Sequence, residues 1–239
     1  QEVGQLVPAV NPERCTHCGR CAEVCQYHAI AVIGQQVLVF PELCHGCGSC
    51  ARQCPERAIH EELDVLGTLE RGRAGAVEFA QGTLNVGEAM AVPVIRQLKQ
   101  WAIPPNGDAR PVILDAPPGA SCPVVETLRG TDAVLLVTEP TPFGLHDLRL
   151  AVQVAREVGA SRGTPLPVAV VVNRAGVGDG GVEAYCAAEG LPVLLHIPLE
   201  RAIAEGSARG GTLVAIRPEY RPALAALWDA LAAQVRAGR

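Results

Sequence analysis

CTHCGRCAEVC at residues 15–25 and CHGCGSCARQC at residues 44–54 share one spacing, CxxCxxCxxxC. A constant offset of 29 positions carries Cys15, Cys18, Cys21 and Cys25 onto Cys44, Cys47, Cys50 and Cys54. The same offset carries Ala29-Ile30 onto Ala58-Ile59. Eight of the ten cysteines fall in these runs. The segment therefore reads as an internal duplication that builds two pseudo-symmetric thiolate sites.

The spacing resembles that of bacterial ferredoxins, which implies two 4Fe-4S clusters. A cubane needs four thiolates, and one tight loop supplies only three. In this ligation pattern the last cysteine of each run crosses to the other cluster. Cys15, Cys18, Cys21 and Cys54 are thus assigned to one cluster, and Cys44, Cys47, Cys50 and Cys25 to the other. Gly19, Gly46 and Gly48 stand between ligands, where the backbone must turn with φ > 0 and aim N–H groups at sulfide. Pro55 follows Cys54, as the bacterial run prescribes, whereas Gln26 follows Cys25.

Two plainer readings compete. Zinc sites pair two CxxC knuckles across a longer spacer, while here a third cysteine follows after two residues in both copies. Disulfides need an oxidising compartment, and no signal-type apolar segment precedes these cysteines. His17, His28, His45 and His60 flank the runs; with eight thiolates available, they read as surface or supporting groups.

The chain has 239 residues, 49% hydrophobic and 3% aromatic, a composition that suits helices packed on a parallel sheet better than an aromatic-rich sandwich. No apolar run approaches the roughly 20 residues of a membrane span. A net charge of −5 supplies no basic footprint for nucleic acid. Residues 1–62 carry seven acidic and four basic side chains, so an acidic face for a basic redox partner competes with an ordinary solvated surface. Reduced thiolates and the absence of a targeting signal point to the cytoplasm.

Three segments follow: a cluster module at 1–62, a connecting β segment at 63–86, and an α/β domain at 87–239. Within the first, Ala31 to Phe40 reads as a hairpin turning at Gly34-Gln35-Gln36. A helix is predicted from Glu88 to Ala102, closed by Pro104-Pro105 and carrying Lys99, the one lysine of the chain. Four continuous apolar runs, 111–116, 133–139, 167–173 and 192–198, predict strands covered on both faces, hence a doubly wound parallel sheet. A last helix, Pro222 to Val235, aligns Leu224, Leu227, Trp228, Leu231 and Val235 on one side, with Trp228 expected in the core.

In such sheets ligands bind at the carboxyl ends of the strands. The residues there are Asp115-Ala116-Pro117-Pro118-Gly119, Thr138-Glu139-Pro140-Thr141, Asn173-Arg174 and Ile197-Pro198. Taken with the double cysteine run and Gly82 to Ala89 (GTLNVGEA), they make the chain resemble the MinD/ParA-type (Mrp-like) P-loop ATPases that carry a ferredoxin insert. The resemblance implies Asp115 as the magnesium or water partner, Gly119 as the γ-phosphate sensor, Asn173 on the adenine base and Pro198 beside it. Each residue could equally be an ordinary turn or strand end.

The departure from that family is its glycine-rich phosphate loop with two lysines, since no GxxxxGK[ST] stands in this sequence. Lys99 follows neither a strand nor a glycine loop and is no substitute. The resemblance therefore implies an N-terminally truncated relative that binds ATP and Mg2+ poorly and does not hydrolyse ATP. It also implies an exposed sheet edge and an uncovered apolar face. Cys122 is either a redox-active or interface ligand or a small buried hydrophobe; Cys186 reads as core. Three functions follow: an ATP-driven module coupled to the clusters, a two-cluster electron carrier with a docking domain, or a carrier of clusters to apo-acceptors. The family likeness also implies a homodimer.

Overall fold

The protein is described here by a computed structural model covering residues 1–104 and 110–237. Pro105, expected to help close a helix, lies outside the described residues. The chain divides into two compact units, Gln1–Ile113 and Leu114–Arg239.

In the first unit, β1 (Glu2–Val10) pairs antiparallel with β4 (Ile59–Ala74), which pairs antiparallel with β5 (Val77–Leu84). The connecting β segment expected at 63–86 is thus part of two long strands, with charged side chains such as Glu70, Arg71 and Arg73 along the solvated end of β4. The β1–β4 register shifts between Val3 and Gly4. A Cβ on Gly4 would lie 1.9 Å from the carbonyl oxygen of Asp64, so only glycine lets the two backbones approach there.

Helix α3 (Val92–Ala102) closes the core of this sheet: Val94 packs with Val3, Leu66 and Leu69, flanked by Leu84, Leu98 and Trp101. It begins four residues after the expected Glu88 because Pro93 belongs in a helix's first turn. Since its core partners lie on β1 and β4, this helix goes with the first unit and not with the α/β part to which 87–239 assigned it.

Between β1 and β4 lies the duplicated module. Helix α1 (Arg20–Glu23), β2 (Ile30–Ile33), β3 (Gln36–Val39) and α2 (Ser49–Arg52) follow in order, with a 3-10 turn at Pro41–Leu43. The expected hairpin forms as β2–β3, with Gly34 at φ 60 in its turn. The duplication is written in the backbone: φ is 55 at His17 and 61 at Gly46, 80 at Gly19 and 69 at Gly48, 54 at His28 and 50 at Arg57. Ala29 and Ala58, equivalent under the offset, are both fully buried.

The second unit is a three-stranded parallel sheet in the order β6 (Val134–Thr138), β7 (Val168–Ala175), β8 (Val193–Pro198). Among the described residues its strand order runs one way, without the reversal of a doubly wound sheet. Helix α4 (Cys122–Leu128), α5 (Pro142–Ser161) and α6 (Gly181–Ala188) supply its core. Val124, Leu128, Ala155 and Val158 pack on Val134, while Leu148, Val152, Val182 and Cys186 pack on Val170 and Val172. Cys186 is core, as the sequence suggested.

The run 111–116 forms no strand. An apolar stretch becomes a strand only if a neighbour takes its hydrogen bonds, and no ladder reaches these residues, so Val112 and Ile113 stand exposed. Coverage on both faces holds for β7, buried from Ala169 to Val172, but not for β6, whose Leu135 and Val137 face outward.

Helices α7 (Arg201–Ala208), α8 (Leu213–Ile216) and α9 (Tyr220–Ala237) complete the unit. In α9, Leu227 is buried, but Trp228 is 45% exposed and is not core. Neighbours on a helix differ by about 100° in direction, and Leu227 takes the inward one.

Candidate metal centre

The two cysteine loops are held by different elements of one module. The first leaves β1 at Val10 and is pinned where Asn11 N–H donates to the carbonyl of Ala58 at 2.7 Å. The second is anchored to β1 by Gln5, whose side-chain amide donates to the carbonyl of Cys44 at 2.9 Å. Gln5 is buried, and its Oε1 has no protein partner among the described residues. This side chain was not singled out in the sequence, because its partner lies far along the chain and only the fold brings them together.

A cavity opens among Cys15, Cys18, Cys21 and Cys54, walled by Val10, Val32 and Val37. The fourth cysteine thus comes from the second run, while Cys25, the last of the first run, is absent from this lining. On the other side, burial and, after it, the proximity of Cys47, Cys25 and Glu61 push the Cys44 thiol up. Tyr27 stacks on His45 at 3.7 Å between ring centroids and 13° between planes, tying the exit of the first run to the second loop.

Matching N–H groups point at matching sulfurs. Ala29 N–H donates to Cys25 Sγ and Ala58 N–H to Cys54 Sγ, each at 3.3 Å, and Gly46 N–H donates to Cys44 Sγ at 3.4 Å. Such donors stabilise thiolate and neutral thiol to different degrees and favour the charged form. Burial nonetheless pushes the Cys21, Cys44 and Cys50 thiols up. Cys47 is pushed down, chiefly by the hydroxyl of Ser49, which lies 3.5 Å from its sulfur.

No disulfide joins any of the ten cysteines. Among the described residues, no three His, Cys, Asp or Glu side chains converge on a point that one metal ion would occupy. Cys15, Cys18, Cys21 and Cys54 line a cavity instead. A four-thiol donor set with backbone N–H groups turned toward sulfur fits a polynuclear iron–sulfur group. Among the flanking histidines, His17 lines the first cavity, His60 lies 2.9 Å from Glu62 Oε1, and His28 is exposed.

The strand-end residues of the second unit are only partly assembled. Asn173 pairs with Ile197 and Ala175 with Pro198, so Asn173 lies two residues before the end of β7 and Pro198 ends its neighbour β8. Beside them Arg174, at φ 52, forms an ion pair with Glu139 at 3.2 Å. Thr141 caps α5 by accepting from Gly144 N–H at 3.0 Å, and Thr138 donates to the carbonyl of Gly144 at 2.9 Å. Asp115 and Gly119 are exposed in irregular chain, Gly119 at φ 94, and among the described residues neither is linked by a hydrogen bond or ion pair to Asn173 or Pro198. Cys122 is exposed at the start of α4, not a buried hydrophobe.

Among the described residues no helix is long and apolar enough to cross a membrane. Two proteins of Methanocaldococcus jannaschii are similar to this chain. Uncharacterized protein MJ0579 is 33% identical over 98 residues, 41% of this chain and 34% of that protein. Uncharacterized protein MJ0578 is 38% identical over 137 residues, 57% of this chain and 47% of that protein. The chain thus spans between a third and a half of these relatives. Residues 8–55 match the family model of the 4Fe-4S dicluster domain. The first unit therefore contains a ferredoxin-like iron–sulfur domain.

Proposed function

We propose that this chain transfers electrons through two 4Fe-4S clusters, one held by Cys15, Cys18, Cys21 and Cys54, the other by Cys44, Cys47, Cys50 and Cys25. The observation that carries this reading is the cavity in which Cys54 joins the three cysteines of the first loop. When bound, each cluster supplies a one-electron couple. The chain's own residues do the rest. The N–H groups of Ala29, Gly46 and Ala58 offset charge on sulfur, and Val32 and Val37 keep water from one site. The acidic excess of residues 1–62 suits a basic redox partner.

Reversible reduction tests this reading against delivery of clusters to an apo-acceptor. The anaerobically purified chain is cycled with dithionite and a mild oxidant while its visible absorbance and iron content are followed. A carrier bleaches and recovers through repeated cycles with its iron retained. Loss of iron to an added apo-ferredoxin on each cycle favours delivery.

A second reading, in which the α/β unit belongs to a nucleotide-dependent protein of the MinD/ParA type, is favoured by one arrangement: Asn173 and Pro198 near the carboxyl ends of adjacent parallel strands. In it, Asn173 and Pro198 flank an adenine, Asp115 serves Mg2+ and Gly119 faces the γ-phosphate, in a cytoplasmic protein that pairs with a second copy. Equilibrium binding of ATP with Mg2+ decides. Saturable binding that Asn173→Ala weakens supports it, and no binding at millimolar nucleotide removes it for this chain.

A further inference from the structure

The two sites share a backbone but not an electrostatic environment. The 29-residue offset that superposes the cysteines also sets Val32 against Glu61. Val32 pairs with Val37 across the β2–β3 hairpin, and both wall the cavity of Cys15, Cys18, Cys21 and Cys54. Glu61 is fixed on β4 opposite Pro8. Its carboxylate lies over Gly48, where a Cβ would come within 3.2 Å of Oε1. Gly48 stands between Cys47 and Cys50, so the carboxylate rests on the ligand loop itself. An aliphatic wall at one site is replaced by a negative charge at the other. Inside the loops, Arg20 is paired with Glu23 at 3.3 Å, whereas the equivalent positions of the second loop hold Ser49 and Arg52. That loop thus carries one more positive charge, on an exposed arginine two residues past Cys50, against the carboxylate resting on Gly48.

We propose that Glu61 makes the two sites unequal, holding the couple of the Cys44, Cys47, Cys50 and Cys25 site below that of its duplicate, so that the Cys15, Cys18, Cys21 and Cys54 site fills first. A negative charge beside a group that gains an electron disfavours the reduced form. Glu61 is exposed and acts through solvent, so its effect is moderate and salt-dependent. It touches no reacting atom and is a positioning charge. Its consequence is direction: an electron entering at the lower site passes to the higher one.

This inference rests on the two-cluster reading, and the test separates the two. The holo chain, its iron counted beforehand, is titrated anaerobically with poised mediators and followed by EPR, alongside Glu61→Gln, Glu61→Asp and Val32→Glu. The parent shows two one-electron couples. Glu61→Gln raises only the lower couple, increasing its reduced-to-oxidised ratio at a fixed applied potential roughly threefold to tenfold. Glu61→Asp restores most of the gap, Val32→Glu lowers only the upper couple, and added salt shrinks the parent's gap but not that of Glu61→Gln. Full iron content with couples that Glu61→Gln leaves in place, or movement of the upper couple instead, overturns the role of Glu61 alone. A chain without iron–sulfur clusters overturns both readings before any titration.

Discussion

Cys54 lines the same cavity as Cys15, although the two belong to different copies of the duplicated run. A cysteine placed with the other copy's ligands makes each site depend on both halves of the module. Cys54→Ser should therefore damage the site of Cys15, Cys18 and Cys21 and leave that of Cys44, Cys47 and Cys50 with Cys25. The expected outcome is loss of about half the iron, or conversion of one cluster to a three-iron form, with the other EPR signal intact. Combining Cys54→Ser with Cys15→Ser should cost no more than either alone, whereas Cys54→Ser with Cys44→Ser should empty both sites.

The bulge at Gly4 links the β framework to ligand placement. A Cβ there collides with backbone, not with a flexible side chain, so relief requires the β1–β4 ladder to move. Gly4→Ala should destabilise the first unit by about 1–3 kcal/mol. Because Gln5 next to it holds the carbonyl of Cys44, the second cluster should also be lost faster on exposure to chelator.

Gln5→Leu separates these two effects. It removes the donor to Cys44 along with the unsatisfied Oε1, so its stability cost should be small, within about 1 kcal/mol. Release of iron to chelator should nevertheless accelerate, at one cluster only. Equal rates in parent and variant would assign Gln5 to packing alone.

The second unit has its own core, and damage to it should spare the metal centre. Val170 on β7 is fully buried among Leu148, Val152 and Val182. Val170→Ala should cost about 2 kcal/mol in urea denaturation while iron content stays at the parental value.

Alkaline pH should weaken the second unit through Cys186. Burial, reinforced by Glu183, pushes this thiol up. The unfolded chain then gives up the proton first, so the contribution is complete below the ordinary thiol range, about 8.5, and is lost as pH rises through the folded value. Between pH 8 and 10 the denaturation midpoint should fall more steeply in the parent than in Cys186→Ala. The comparison is of slopes, since the variant also leaves a small cavity at every pH.

Much of this was legible in the sequence. The cysteine spacing carried the duplication, Gly34 placed the hairpin, and three of the four apolar runs became β6, β7 and β8. What escaped depends on neighbours that a linear pattern does not contain. Residues 111–116 have the composition of a strand, yet composition cannot supply the adjacent ladder that would satisfy Val112 and Ile113. Leu135 and Val137 read as doubly buried although one face of β6 is open. No motif marks Gln5 or Glu61, and the pairing of β1 with β4 brings one to Cys44 and the other to Gly48. Trp228 was grouped with the apolar side of the last helix, and helical geometry gave the inward direction to Leu227.

The most direct measurement is the iron and acid-labile sulfide content of the full chain purified without oxygen, read with its visible spectrum. The account predicts a brown protein holding about eight iron and about eight sulfide per chain, bleached by dithionite. A colourless protein holding zinc on these cysteines would contradict it.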